Sequence, residues 1–304
     1  MKTKLIIEQH IHGAFGVDFN TCSADDIITV AQKLLLRGIG GFFPTLVTDS
    51  VPNLKRQISC IKEVAQNLKW DCARILGIHL EGNFINTLKK GIHNPEHFLD
   101  LTIENYKELE DDFIKIVTLA PELDKGLIPY LKSKGIKVQA GHCVGGDISM
   151  CDGVTHLFNA MSGIEHRSAS TSLSALLDDN IYTEIIADGL HLSDDILKMI
   201  FKLKPVDKII LISDALPITY SDIKETTFAD NKIYYDGQKA TSKTGVIAGS
   251  TTLVPDIIKI LGKKDMFHPK FIENVYKYHN IGYLGEMEWD EEFNIVSVTT
   301  MNNK

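Results

Sequence analysis

The sequence is short of cysteine, of cationic excess and of long apolar runs, and each shortage removes a class of protein. Its five cysteines, Cys22, Cys60, Cys72, Cys143 and Cys151, are odd in number and include no C-x-x-C pair. That speaks against a disulfide framework and against a zinc ribbon. No apolar run reaches the ~18 residues of a membrane span. Residues 1–7 open like a signal peptide, but the apolar stretch stops at Glu8, too short for a signal's hydrophobic region. The expectation is a cytoplasmic protein with no membrane partner. The formal net charge is −8, so the basic surface that displaces counterions from duplex DNA is lacking and no nucleic-acid partner is expected. A small anionic substrate stays compatible, because local charge in a cleft decides that. Low-complexity segments and clean repeats are also missing.

What is present is a rhythm. Short apolar runs at 5–11, 41–47, 75–80, 114–119, 136–140, 153–158, 181–187 and 208–212 alternate with amphipathic stretches. Several runs are apolar on both alternating faces, as in parallel strands covered by helices. Helices are expected at 25–37, 53–68, 95–109, 122–134, 170–177 and 194–203, the first capped by Ser23 with Asp26 near its positive end. Eight strands alternating with helices, in 304 residues, is the pattern of an α/β fold of the (β/α)₈ TIM-like barrel type. An open doubly wound sheet would carry a glycine-rich phosphate loop after its first strand. That position reads His10-Ile11-His12-Gly13 instead. From about Lys224 the pattern changes: strand-like segments at 232–236, 245–248 and 286–299 and one helix near 269–278. The expected division is a catalytic barrel at 1–262 and a C-terminal helix with a short β remnant at 263–304.

Active sites of such barrels form at the carboxyl ends of the strands. Those ends read His10-Ile11-His12, His79-Leu80-Glu81-Gly82, Gly141-His142-Cys143, Thr155-His156, Asp188-Gly189-Leu190-His191 and Ser213-Asp214-Ala215. Period-two alternation puts His10 and His12 on one side of the first strand. Imidazole nitrogen and carboxylate oxygen suit divalent zinc or iron, and this set has donors for one or two ions. Asp214, on the last strand, stands where a proton carrier would. Taken singly, the H-x-H pair reads as structural, Glu81 as an ion-pair partner, His142 as a satisfied core histidine and Asp214 as a cap. Their joint placement at strand ends is what those separate readings leave unexplained.

The strings His-Leu-Glu-Gly (79–82), Gly-Ile-His-Asn-Pro (91–95), Val-Thr-Leu-Ala-Pro-Glu (117–122), Gly-His (141–142), Thr-His-Leu-Phe-Asn-Ala-Met (155–161), Asp-Gly-Leu-His (188–191), Ser-Asp-Ala (213–215) and Ala-Gly-Ser-Thr (248–251) occur in this order. Together they resemble the N-acetylglucosamine-6-phosphate deacetylases of the amidohydrolase superfamily, over residues 5–253. The resemblance implies Glu81, His142 and His156 as metal ligands, with His10 and His12 as a second-metal pair that some members carry. It implies Asp214 as the catalytic acid/base and His93, beside Ile92, as a contact near the acetyl carbonyl. Asn159 and Ala160 would hold the sugar phosphate. Arg167 and His191 would contact substrate across a dimer interface, which implies a homodimer. Ile247, Ala248 and Gly249 would line the substrate.

Four departures from the family pattern stand out. Asn83 takes the place of a proline after His-Leu-Glu-Gly, Ser213 that of a threonine, and Ser162 that of a proline after Met161. The leading β segment and the late C-terminal motifs are reduced or missing, so a reduced or missing small β appendage is expected. The implied reaction is metal-dependent hydrolysis of N-acetylglucosamine 6-phosphate to glucosamine 6-phosphate and acetate. Three alternatives stay open: the isomeric N-acetylgalactosamine 6-phosphate as substrate, another amidohydrolase reaction, and an inactive sugar-phosphate-binding paralogue. A cyclic-amide hydrolase is disfavoured because Glu81 stands where a carboxylated lysine would.

Overall fold

Eight parallel strands line up in chain order around one core: β1 (Ile6–Ile11), β2 (Ile39–Val47), β3 (Ile78–Glu81), β4 (Ile114–Leu119), β5 (Lys137–Ala140), β6 (Gly153–Val154), β7 (Tyr182–Ile185) and β8 (Ile209–Leu211). They come from a computed structural model, which describes residues 1–301. Each matches one of the eight apolar runs, with shifts of a few residues at the ends. All nine residues of β2 and all six of β1 are buried, as both-faced coverage by barrel interior and outer helices requires. The seam between β8 and β1 closes beyond the end of β8. There the Asp214 N–H donates to the His10 carbonyl at 2.9 Å and the His12 N–H to the Ala215 carbonyl at 3.0 Å. This is a (β/α)₈ barrel, and its closing bonds lie at the mouth.

The outer layer begins with α1 (Ala24–Leu36), α2 (Val51–Asn67), α3 (Ile103–Lys107), α4 (Leu127–Ser133), α5 (Thr171–Leu177) and α6 (Asp194–Leu203). Ser23 and Asp26 form a reciprocal capping box on α1, which satisfies two of the orphan amides at a helix start. Two helices are shorter than their amphipathic pattern suggests. In place of one helix over 95–109 there is a 3₁₀ turn at Pro95–His97, an extended break, and α3 capped by Thr102. The break is held by Asn83, whose side chain donates to the His97 carbonyl at 2.7 Å and whose carbonyl accepts from Leu99 N–H at 2.6 Å. The stretch 122–134 is interrupted at Gly126, in the left-handed region at φ 98°, so α4 starts only at Leu127.

Beyond the barrel strands the chain adds α7 (Val254–Lys263) and α8 (Lys270–His279). The sequence reading did not include α7. Its Pro255 sits in the first turn and Ile257, Ile258 and Leu261 are buried. α8 seals the barrel wall: Tyr276 donates to the Leu5 carbonyl at 2.7 Å, and Asn274 to those of Val206 and Ile209 at 2.9 and 2.6 Å.

Besides a two-stranded antiparallel ribbon of Gly13–Ala14 with Val17–Asp18, two small antiparallel sheets complete the structure. One pairs Lys2–Lys4 with Gly285–Trp289 and that strand with Ile295–Thr300. The stretch 286–299, read as one strand, is thus a hairpin, turned by Asp290, which accepts from the amides of Glu292 and Asn294. This is the small appendage, reduced but present, and it draws on both ends of the chain. The other sheet is a four-stranded meander of Glu225–Phe228, Asn231–Tyr235, Ala240–Ser242 and Ile247–Gly249. It has a separate apolar cluster with Val47, Ile92, Leu216 and Ile218, which seats it over the barrel mouth. Among the described residues no helix is long and apolar enough to cross a membrane, and all five cysteines are free thiols.

Candidate active site

Glu81, the last residue of β3, is 2% exposed and faces four imidazoles. Its Oε2 lies 3.1 Å from His10 Nε2 and 2.9 Å from His12 Nε2. Its Oε1 lies 2.8 Å from His156 Nε2 and 3.4 Å from His142 Nε2. One carboxylate therefore stands between two histidine pairs. Asp214 Oδ1 completes the first pair, at 3.4 Å from His10 Nε2 and 3.1 Å from His12 Nε2. In the second pair the ring nitrogens of His142 and His156 are only 3.2 Å apart. Ligands of a tetrahedral ion with bonds of ~2.0–2.1 Å stand roughly 3.3 Å from one another, so these separations suit side chains sharing cations.

Backbone geometry brings these residues in. His142, His156 and Asp214 all sit at positive φ, 48°, 31° and 52°. Such conformations cost about 1–3 kcal/mol each and persist where surrounding structure over-determines them, often at functional sites. The same kink cuts β6 short, two residues before His156. Gly82, at φ 146°, lets β3 turn against β2: a Cβ there would stand 2.1 Å from Thr48 Oγ1.

The donor set fits a divalent metal. Three rings have Nδ1 tied to an acceptor: His10 to Glu184 Oε2 at 3.1 Å, His12 to the Thr45 carbonyl at 3.2 Å, His142 to the Lys89 carbonyl at 2.8 Å. Each such bond puts the proton on Nδ1 and leaves the Nε2 lone pair for the centre, as outer partners of metal-bound histidines do. His10 Nε2 is buried without a hydrogen bond of acceptable geometry, although two carboxylate oxygens lie nearby. An orphaned ring nitrogen in a carboxylate-rich pocket is an opening for a cation. His79, by contrast, spends both ring nitrogens on the Gln9 carbonyl and Thr118 Oγ1. Burial, then the charge of His10, pushes its pKa down to about 3, so it is a neutral core residue.

The field at the centre is strongly negative. Burial opposes charge on His12, but its bonds to Asp214 and Glu81 outweigh that and lift its pKa to about 9. Burial likewise opposes charge on Glu81, yet the surrounding histidines hold it well below the usual carboxylate range. A divalent ion meets the same field by displacing the protons.

No family model matches the chain. It is 31% identical over 259 residues to the N-acetylglucosamine-6-phosphate deacetylase of Bacillus subtilis (strain 168), over 81% of this chain and 65% of that protein. It is 30% identical over 284 residues to the protein of the same name from Caenorhabditis elegans, over 84% of this chain and 67% of that one. The chain belongs to the N-acetylglucosamine-6-phosphate deacetylase family. It spans about two thirds of the length of these relatives. A variant of the deacetylase from Mycobacterium smegmatis, solved in complex with N-acetyl-D-glucosamine-6-phosphate, shares the fold with a TM-score of 0.89 at 22% identity, over 98% of this chain and 85% of that one.

With the deacetylase family in view, the remaining site positions sort by the cavity above the centre, about 580 Å³ in volume. His12, Glu81, His142, His156 and Asp214 form its floor. Ile92, His93, Asn159, Ala160 and His191 line its walls, as do Ile247, Ala248 and Gly249 from the meander. His10 lies beneath, fully buried. Arg167 is not on the wall of this cavity but on an exposed loop. Sequence reasoning missed Lys89 and Lys90, which line the cavity just before Gly91; two adjacent lysines ahead of Gly-Ile-His-Asn were the available signal. It also missed Phe228, whose ring packs 5.1 Å from that of His12.

Asn83 sits at φ 61°, which proline's fixed ring forbids. Its side chain ties the Asp49 and His97 carbonyls, and its N–H donates to Thr48 Oγ1 at 3.1 Å. Since Thr48 Oγ1 accepts there, its own proton is available to His93 Nδ1, 2.7 Å away, leaving His93 with its proton on Nε2. Burial and the neighbouring His142 keep His93 neutral, its pKa well below the usual histidine range.

Proposed function

We propose that this chain hydrolyses the N-acetyl group of N-acetylglucosamine 6-phosphate, releasing acetate and glucosamine 6-phosphate, with one or two divalent ions, zinc or iron, held by Glu81, His142, His156, His10 and His12. The observation that carries the reading is the Glu81 carboxylate between two imidazole pairs, with Asp214 on the floor of the same cavity. The names of the relatives point to this substrate class. An ion held here supplies Lewis acidity, which acidifies water and polarises a carbonyl.

The chain's own residues do the rest. Asp214, held below the usual carboxylate range by its bond to His12 despite its burial, accepts the proton of the attacking water and returns it to the leaving amine nitrogen. His93 donates from Nε2 to the carbonyl oxygen as charge grows there. Lys89 and Lys90 supply cations for the phosphate, together with the amides around Asn159 and Ala160. Arg167, off this cavity's wall, is assigned to the sugar phosphate bound by a partner protomer, which is why a homodimer is part of the proposal; His191 lines this chain's own cavity.

The protein is read as cytoplasmic. The barrel is assigned to 1–262 and the remnant to 263–304, with Lys2–Lys4 counted with the remnant because it pairs with Gly285–Trp289. The test is acetate release from N-acetylated glucosamine and galactosamine, each with and without the 6-phosphate, using metal-replete and chelator-treated protein. Metal-dependent release from the glucosamine 6-phosphate is the expected result. No release by metal-replete protein refutes the reading and favours a sugar-phosphate binder.

A further inference from the structure

Under the metal centre lies a second polar layer, to which the bond at His10 Nδ1 belongs. Its hub is Glu184, on β7, 1% exposed. Glu184 Oε2 accepts from His10 Nδ1 at 3.1 Å and from the His156 backbone N–H at 3.3 Å. Its Oε1 accepts from the side-chain amides of Gln9 at 2.5 Å and Gln139 at 2.9 Å. Gln9 in turn accepts at Oε1 from His279 Nε2, 2.9 Å away on α8. One buried carboxylate thus takes four donors and touches both histidine pairs, through a ring on one side and the backbone on the other.

A carboxylate in this position is expensive to bury and is kept where it does something an amide would not. Here it does two things for His10. It holds the proton on Nδ1, leaving Nε2 able to ligate. It also adds negative charge, which makes the ring a stronger donor. The other tied rings, His12 and His142, lean on neutral carbonyls, so His10 alone among the four depends on a charged partner. Gln9 and Gln139 fill the far oxygen and fix the carboxylate's rotation, and His279 extends the chain of bonds to the C-terminal helix.

We propose that Glu184 is a positioning residue that presents His10 Nε2 to the cation on the His10–His12 side of Glu81, so that occupancy of that side depends on Glu184 while the His142–His156 side does not. The inference rests on the metal-site reading above. It does not require that the substrate be correctly named.

The test uses the full chain, stripped with chelator and titrated with Co²⁺, following uptake, the visible spectrum of the bound ion and thermal stability of the stripped protein. Glu184→Gln keeps the shape but donates where the carboxylate accepted; Glu184→Asp keeps the charge. In the Gln variant one ion is expected to bind about 10- to 100-fold more weakly, with a changed Co²⁺ spectrum, while the other ion keeps wild-type affinity. Partial recovery is expected in the Asp variant. If the wild type takes a single ion, the same fall and spectral change support the proposal where His12→Ala also releases that ion, and overturn it where His12→Ala leaves the ion bound. Unchanged affinity and spectrum in Glu184→Gln overturn it. So does an equal loss of both ions in both variants, since that is what a merely structural role produces. Acetate release is scored separately: the expected metal pattern without deacetylation refutes the proposed reaction and leaves this inference standing.

Discussion

Asp214 and His10 are joined twice, once by backbone and once by side chain. The Asp214 N–H donates to the His10 carbonyl at 2.9 Å, and Asp214 Oδ1 lies 3.4 Å from His10 Nε2. The bond that helps close the barrel is therefore also the bond that delivers the last carboxylate to the centre. Closure and assembly of the site are one event, because β1 and the end of β8 meet only when all the strands between them are in place.

This separates the side chain from the fold. Asp214→Asn keeps the backbone bond, and asparagine tolerates positive φ, so the variant is expected to fold with its melting temperature within a few degrees. Its rate of acetate release should fall about 10²- to 10⁴-fold, the usual worth of a general acid/base. A variant retaining more than a tenth of the rate removes Asp214 from proton transfer.

Gly82→Ala attacks the turn that directly follows Glu81. The new Cβ would stand 2.1 Å from Thr48 Oγ1 and 2.4 Å from the Thr48 nitrogen, at φ 146°. Overpacking and backbone strain each cost about 1–3 kcal/mol, so a loss of at least ~2 kcal/mol is expected in urea unfolding. Unfolding at the wild-type midpoint would contradict the steric account.

In the proposed reaction Lys89 and Lys90, on the cavity wall, and Arg167, off it, take separate parts in holding the phosphate. Replacing both lysines by alanine leaves the Lys89 carbonyl bonded to His142. A lost charge-assisted contact is worth about 1.5–3 kcal/mol, so KM for the 6-phosphate should rise about 10- to 100-fold while turnover of the unphosphorylated sugar holds. Arg167→Ala should do the same only where the protein is dimeric. Steady-state kinetics with both substrates, alongside sedimentation, checks both statements.

Lys204 gives a pH dependence away from the site. It is 3% exposed, and its ammonium donates to the Ala175 carbonyl at 2.7 Å. Burial pushes its pKa down to about 8 from 10.5. Between these values the unfolded chain binds more protons than the folded one, so this residue's contribution to stability rises with pH from about 8 to about 10.5. Below 8 both states are protonated and the contribution is flat. Lys204→Met should remove that rise from a series of urea midpoints; an identical slope in both proteins would refute the assignment.

The parts legible in the sequence were those with local causes. Both-faced apolar runs mark buried parallel strands, so all eight barrel strands were readable, β4 to the residue. Ser23 and Asp26 announced the start of α1 because a capping box spans four consecutive positions. The helix expected over 95–109 failed for a non-local reason: Asn83, a dozen residues upstream, captures His97 and Leu99. Lys89 and Lys90 carried no periodic signal, and only the path of the loop brings them to the cavity. The four-stranded meander was half visible, since two of its strands are short and polar.

By itself the sequence determined which candidate ligand and proton-carrying residues stand at strand ends and in what order, because ligand types at strand ends and alternation along β1 are written in neighbouring positions. Only the tertiary structure decided that Glu81 stands between the two histidine pairs, that His79 is spent on Gln9 and Thr118, that Arg167 lies outside the cavity, and that Glu184 backs His10. Those facts depend on distances between segments up to two hundred residues apart. Such distances are set by closure of the barrel rather than by any local preference of the chain.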